Sequence, residues 1–425
     1  MMSLKDHPLR YKLANELHAR PFPEVNSPGT ALYLAIKQPV GAAARDRSKD
    51  IDHLIALLDR HGAPHPQPGA THYYGQIGRH ALKWEQHTEF VTYTVFSDRL
   101  SARPFDPSEF EVFPQDWLAT APGVRVTSVQ IRIAPLQNEN EVAENVMDWF
   151  VPESLAVARV LDDGAVVAGD FRIDPAGHLR FAVFVADETG ARRIGRIVQR
   201  VCEIETYKSL AMLGFAQAHE MSARMGEIDD DLTGLMADMR DANKRSEDTL
   251  VGLLAVSAEL EAMGARASFR FGASRAYETI VNQRIEVLRE ERFRGRLLFA
   301  EFMLRRFDPA MRTVESTSKR LKAMANRAMR AGELLRTRVD VERSAQNQKL
   351  LESMDARADQ QLKLQKTVEG LSVVAISYYA VSLASYAAYP LTEVLGMSKG
   401  MITAMLTVPV VLLVWAAIRR IHHKM

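Results

Sequence analysis

The chain has 425 residues, with 54 basic and 53 acidic side chains and a net charge of +1. So even a balance excludes a general nucleic-acid binder, whose footprint is a strong basic excess. Its 47% hydrophobic residues leave ample material for the cores of two or three domains. A single cysteine, Cys202, rules out an internal disulfide and suits a reducing compartment.

The opening residues, MMSLKDHPLRYKLANEL, hold no apolar run of the signal-peptide kind. Residues 7–22, HPLRYKLANELHARPF, gather His7, Arg10, Asn15, Glu16, His18 and Arg20. Imidazole and carboxylate are metal ligands, and arginine grips phosphate with a planar fork. Glu16 and His18 are only two apart, which puts them on different sides of a helix, and the spacing fits no zinc pattern. The expected use of the motif is structural: hydrogen bonds that dock this segment on its domain or on a neighbouring subunit.

Strand signals follow. Residues 30–37 (TALYLAIK), 72–78 (HYYGQIG) and 89–97 (EFVTYTVFS) are β-branched and aromatic runs between turn residues. Residues 124–134 (VRVTSVQIRIA) alternate and predict a half-buried strand. LAVARVL, AVVAGDFRI and HLRFAVFVAD, separated by Asp163-Gly164 and Pro175-Ala176-Gly177, predict a three-stranded antiparallel meander. Amphipathic helices are predicted over 46–60 and 141–150. His61, His65, His72, His80 and His87 cluster in sequence around a Pro-rich loop, with few close acids, and read as solvated. No glycine-rich phosphate loop, Gly-x-Ser-x-Gly or His-Glu-x-x-His occurs, so nucleotide binding and catalysis lack a motif.

From about Ala191 the chain turns helical. Breaks are predicted near Asp229-Asp230-Asp231, around Gly264 and at Asp308-Pro309, where Asp308 would cap a new helix with Pro309 in its first turn. The acidic triplet, joined by Glu227, Asp238 and Asp241, offers carboxylate oxygens to a divalent cation, or is simply a solvated helix junction. Val314, Leu321, Ala328 and Leu335 recur every seven residues, with Thr317, Met324 and Ala331 between them, as in a coiled-coil seam. Beyond Arg338 the helix becomes polar and reads as a stalk.

Two uncharged apolar runs come next, 371–391 and 401–418, each about long enough to cross a hydrocarbon core. The loop between them forces an antiparallel hairpin. Lys363 and Lys366 precede the first run, and Arg419, Arg420, His422, His423 and Lys424 follow the second, so both ends are expected on the cytoplasmic side. In the first run Tyr378, Ser382, Ser385 and Tyr389 fall on one helical face. Such a face lines a water-filled path in an oligomer or packs against a neighbouring helix. Glu393, the loop's one acid, would form a ring of charge in a symmetric oligomer or pair with Lys399.

The order of soluble α+β domain, antiparallel helices, long helix, short outer loop and basic tail resembles the CorA-type divalent-cation channels. The likeness is closest from about Phe302 to Leu391, where EFMLRRFDPAMRTVESTSKRL and QKTVEGLSVVAISYYAVSLASY look like that family's stalk and first span. It implies a pentamer. That family closes its first span with Tyr-Gly-Met-Asn, whereas this chain has Tyr389-Pro390-Leu391 in the same register and Gly396-Met397-Ser398 in the loop. The filter for hydrated Mg²⁺ is thus absent or rebuilt. The motif HPLRYKLANELHARPF looks instead like an uncharacterised bacterial family of predicted membrane-anchored proteins (domain of unknown function thirty-four twenty-two). The chain is identified as a member of that family, itself similar to the channels in architecture.

The expectation is therefore an α+β protein, its N-terminal sheet mainly antiparallel with helices, then a long helical stalk and a C-terminal transmembrane hairpin. The divisions are 1–190 for the cytoplasmic α+β domain, 191–308 helical, 309–370 stalk, 371–391 first span, 392–400 outer loop, 401–418 second span and 419–425 basic tail. The expected role is that of an oligomeric inner-membrane protein with an anchored interaction or regulatory function, not an enzyme. A divergent CorA-like cation channel is the alternative. Its partners are the lipid bilayer and further copies of itself, not nucleic acid. No cofactor is expected, and a divalent cation is the one ligand left open.

Overall fold

A computed structural model describes residues 4–16, 22–241, 243–390 and 397–422. It divides into two compact units, Met1–Asp241 with Val251–Ala331, and Ala242–Leu250 with Gly332–Met425. Helix α1 (Arg10–Glu16) comes first in the chain. The first unit is then built on one nine-stranded sheet among the described residues.

In chain order the strands are β1 (Gly29–Lys37), β2 (His72–Ile77), β3 (His80–Gln86), β4 (Phe90–Ser97), β5 (Val124–Pro135), β6 (Ala156–Val160), β7 (Ala165–Ile173), β8 (Leu179–Val185) and the short β9 (Glu291–Arg292). Across the sheet they run β2-β3-β4-β1-β5-β8-β7-β6-β9. Every named pair is antiparallel except β5 with β8. The meander expected around the turns at Asp163-Gly164 and Pro175-Ala176-Gly177 is β6-β7-β8. Strand β3 escaped the reading of the sequence; it turns back from β2 through Gly78, whose positive φ of 59° suits a tight turn.

The sheet is covered on both faces, and the two coverings differ in chemistry. Alternate residues Leu32, Leu34, Ile36, Leu82, Trp84, Val91, Tyr93 and Val95 form one apolar face. It packs on Leu54, Leu57 and Leu58 of α2 (Ser48–Arg60) and on Phe113 and Trp117, the latter in α3 (Gln115–Ala119). A second core forms where α4 (Glu139–Trp149) lays Val142 and Val146 on Val157, Val166, Ala182 and Phe184. Strand β5 is not half-buried as its alternation predicts: Thr127 to Ile131 are all buried, because the strand lies between β1 and β8 in mid-sheet.

Two long helices, α5 (Ala191–Asp238) and α6 (Ser246–Leu288), follow. Neither breaks where expected. Helix α5 runs through Asp229-Asp230-Asp231, and α6 runs through Gly264, where a glycine lowers helix propensity without ending the helix. The helices are laced by Arg224, which donates to both oxygens of Glu259 at 2.7 Å, and by close approach of Gly214 to Ser274.

Helix α7 (Phe299–Ala387) also departs from expectation: it starts before Pro309 and passes through it. The carboxylate of Glu290 accepts hydrogen bonds from the amides of Phe299 and Ala300 at 2.9 Å, and Glu301 accepts from Leu298 at 3.1 Å. These satisfy first-turn donors that would otherwise be orphaned and favour negative charge at the helix's positive end. Pro309 then removes one bond from an established ladder instead of starting a helix. Within the first unit the seam residues Val314, Leu321, Met324, Ala328 and Ala331 are buried in the single chain. Arg320 and Arg327 beside them pair with Asp229 of α5.

In the second unit Arg343 donates to Glu247 at 2.8 Å and Ser246 to Glu342 at 3.1 Å. Residues 340–368 are exposed on every face. The apolar end of α7 and helix α8 (Lys399–His422) are both long and apolar enough to cross a membrane.

Two glycines give opposite expectations for one substitution. A Cβ on Gly195 would lie 1.8 Å from the carbonyl oxygen of Pro23, backbone that cannot swing away, so Gly195→Ala should destabilise the unit by about 1–3 kcal/mol. A Cβ on Gly264 meets nothing within 4 Å, so Gly264→Ala should stabilise by about 0.5–1 kcal/mol. Chemical denaturation of the two variants beside the parent checks both signs.

Candidate functional site

The sheet's other face is polar. Lys83 and Glu85 on β3 stand across from Thr94 and Thr92 on β4, and Tyr33 on β1 faces Thr94 from the far side. All five share the face turned away from Trp84 and Tyr93, since side chains alternate along a strand. Helix α5 lies over them: Lys83 donates to Gln199 at 2.9 Å, Gln199 donates to Glu203 at 2.7 Å, and Thr206 donates to the Tyr33 hydroxyl at 2.7 Å. Lys83 also pairs with Glu85 at 3.2 Å, and Arg284 of α6 pairs with Glu203.

These groups surround a cavity of about 320 Å³, closed further by Phe90, Phe96, Cys202, Tyr207 and Arg200. Burial pushes the Cys202 thiol and the Tyr33 hydroxyl well above their usual pKa values, so both are neutral at pH 7. The guanidinium of Arg200 is pulled down by burial and by Arg196, against the opposing pull of Glu203. Beside the cavity, Glu89 ties α6 to the sheet. It accepts from Arg270 at 2.5 Å and from Tyr277 at 2.7 Å, with Lys37 at 3.7 Å. Burial works against its charge, but the bonds from Tyr277 and Arg270 hold its carboxyl below the usual range.

The residues singled out from the sequence are not brought together. His7 accepts from the amide of Leu9 at 3.2 Å, and Arg10 pairs with Asp6 in an exposed turn. Asn15 and Glu16 end α1, and His18 and Arg20 lie outside the described residues. Asp229 is taken by Arg327 and Arg320, which hold its carboxyl below the usual range, while Asp230 and Asp231 are exposed. Among the described residues no group of three or more His, Cys, Asp or Glu is placed to hold a metal ion. His65 pairs with Asp59 at 2.6 Å and, with His72, lines a second cavity of about 720 Å³ against Pro66, Pro68 and Tyr73. His61 follows the end of α2, His80 accepts from Arg79 at 3.2 Å, and the His87 ring stacks on Phe90.

In the apolar part of α7 the covered stripe is Val373, Ser377, Val381 and Ala384, with Ala380, Ser382 and Ser385 half-buried at its edges and Ala388 just past the helix end. On α8 it is Ile402, Leu406, Val410, Val414 and Ile418. Both stripes step by three or four residues, the spacing by which two helices interdigitate. The Tyr378 face lies about a quarter turn from the first stripe. Tyr378 and Tyr389 are exposed, Ser382 is half-buried, and the Ser385 hydroxyl is buried. Lys399 lies over the Tyr389 ring at 4.8 Å, and Glu393 falls outside the described residues.

One pair was invisible to motif reading. Ser128 and His178 meet at 2.9 Å between Oγ and Nδ1, fifty residues apart. Ser128 also donates to the carbonyl of Gly177 at 3.2 Å, and the imidazole stacks on Phe110 at 3.6 Å. The Asp174 carboxylate accepts from the His178 backbone amide, not from its ring, so no third group orients the imidazole as a nucleophile's base requires. The pair serves the packing of β5. The cavity residues carry no motif, and Lys83 and Glu85 lie on β3, a strand the sequence did not disclose.

The Lys83–Glu85 pair is a testable charge. Lys83→Met leaves a buried carboxylate without its cation and should cost about 3 kcal/mol, while adding Glu85→Leu should restore most of that. Urea denaturation of both variants measures it, and a single-variant loss below about 1 kcal/mol would instead mark a water-screened pair.

No curated protein matches the sequence, so the likeness to CorA-type channels rests on architecture alone. The chain does match, over residues 5–425, the family described as "Protein of unknown function (DUF3422)", and it belongs to that family.

Proposed function

We propose that this is a membrane-anchored interaction or regulatory protein whose hairpin holds a large cytoplasmic domain at the bacterial inner membrane. The observation that carries the reading is exposure of apolar surface. The best apolar windows of α7 and α8 have mean hydropathies of 1.4 and 2.4, yet only 6% and 0% of their residues are buried. A buried hairpin of a soluble core would be covered by the rest of the chain. Leaving this surface in water costs about 25 cal/mol per Å², a penalty that hydrocarbon removes. Arg419 lies over the Trp415 ring at 5.0 Å, an aromatic and basic pairing suited to a membrane interface.

In this reading both ends face the cytoplasm, because Lys363, Lys366, Arg419 and Arg420 flank the spans on one side. The chain assembles with copies of itself, which would cover the apolar faces that the two spans leave open, and it performs no catalysis. The full-length protein should stay in the membrane pellet through an alkaline carbonate wash, while residues 1–370 alone should be released. On a Cys202→Ser background, Ser398→Cys should react with an impermeant maleimide from outside the membrane. Release of the full chain, or labelling of Ser398→Cys from the cytoplasmic side alone, would refute the reading.

The second reading, a divergent cation channel, is favoured by one observation: Tyr378 is 69% exposed and so is not used to pair the two apolar helices. An oligomer could turn this face to a central path. Cation flux into liposomes that falls in Ser382→Phe would support it, and absence of flux from folded, oligomeric protein would remove it.

A further inference from the structure

We infer that the cavity between the polar sheet face and helices α5 and α6 binds a small organic anion, a carboxylate or a phosphate monoester. Arg200 would be its charge partner, and the hydroxyls of Thr92 and Thr94 its hydrogen-bond donors. The inference does not depend on whether the apolar helices cross a bilayer, because the cavity lies wholly within the first unit.

Three observations converge on it. The first is size and place: about 320 Å³ falls at the small end of ligand pockets, and this one lies between a sheet and two helices, with Phe22, Pro23 and His87 of the connecting segments at its edge. The second is charge. Lys83 is matched by Glu85 and Arg284 by Glu203, whereas Arg200 donates to the carbonyl of Val287 at 3.3 Å and feels Glu203 only at longer range, as a charge already paired with Arg284. Arg196 adds positive charge near it, while Arg289 is itself paired with Asp162 at 2.7 Å. The lining therefore carries three cations, Lys83, Arg200 and Arg284, against two anions, Glu85 and Glu203, and the unmatched one is half-buried. A half-buried guanidinium gains most from a carboxylate or phosphate that accepts its fork of donors.

The third is hydroxyl chemistry. Thr92 and Thr94 are buried residues on the cavity wall, and their hydroxyls, which bond no other described residue, open onto the cavity instead of being sealed in the core. A bound anion's oxygens would supply acceptors for both, and the rings of Phe90 and Phe96 would flank its apolar part.

Cys202, the chain's one cysteine, lines the same cavity and reports on its occupancy. Full-length protein in detergent is treated with N-ethylmaleimide at mildly alkaline pH, with benzoate, phenyl phosphate or the neutral control benzyl alcohol, at constant ionic strength. Adduct formation is followed by mass spectrometry. At a concentration ten times the dissociation constant, a protecting ligand slows the reaction about elevenfold, as one plus the ratio of the two. Benzoate or phenyl phosphate at about 20 mM, against a dissociation constant of about 2 mM, should slow alkylation roughly tenfold, and benzyl alcohol should not. Which anion protects better separates carboxylate from phosphate recognition. In Arg200→Gln, protection, taken as the ratio of that variant's own rates without and with the anion, should vanish. Thermal unfolding gives a second readout: the protecting anion should raise Tm in the parent and leave Arg200→Gln unmoved. If Cys202 proves unreactive without ligand, the Tm comparison decides alone. Absence of an effect from both anions, equal protection by benzyl alcohol, or protection that survives Arg200→Gln would overturn the inference.

Discussion

The first unit depends on a sheet buried on both faces, one apolar and one polar. The apolar face needs only area, and Leu54, Leu57, Leu58 and Trp117 supply it. The polar face imposes a stricter condition. Lys37, Lys83 and Glu89 lie in the interior, and each charge taken out of water must meet an opposite charge or a set of hydrogen bonds. The partners come from elements far along the chain: Gln199 and Glu203 from α5, and Arg270, Tyr277 and Arg284 from α6. Those helices cannot slide along the sheet without stranding a charge. This fixes where α5 sits, and with it the Arg224–Glu259 and Asp229–Arg327 ties that align α6 and α7.

The same condition explains what the sequence disclosed and what it hid. Strands β1, β4 and β6 to β8 are legible because their branched and aromatic runs end at turn residues, and both apolar helices are legible because hydropathy survives without context. Alternation cannot say whether the polar half of a strand faces water or a helix that arrives 116 residues later, as Gln199 reaches Lys83. So the cavity was unread, although every residue of it was in view. The misplaced helix ends have a similar cause. Pro309 is a strong local signal, but the start of α7 is set by Glu290, nine residues before the amide it caps. The acidic triplet looked like a junction because its charges were counted without Arg320 and Arg327, which neutralise Asp229 from another helix.

The second unit presents the opposite problem. Its apolar helices leave most of their surface uncovered, and only one stripe on each meets protein. That stripe is rich in small or branched residues, as close helix contacts in a bilayer require. The hydroxyl face divides accordingly. The buried Ser385 hydroxyl suits such a contact, and the exposed ring of Tyr378 does not. A face that read as one chemical unit from its spacing is therefore two surfaces with separate neighbours.

The cost of the polar face bears on its use. Buried ion pairs can often be replaced by apolar residues of similar volume with no loss of stability, so stability alone does not account for Lys83, Glu85, Glu203 and Arg284. Nor does the packing of α5, which already buries Ile194, Ile197, Val198 and Val201. A tightly packed face would have closed over the threonines. Here it stands open by about 320 Å³, with the Thr92 and Thr94 hydroxyls open to the cavity on one wall and Arg200 bonded to a backbone carbonyl while its neighbour Glu203 is paired with Arg284. A sheet that needed only a lid would lose nothing by exchanging those three residues for valine and leucine. A sheet that holds a ligand would lose both its hydrogen bonds and its charge, and it is the second arrangement that these side chains compose.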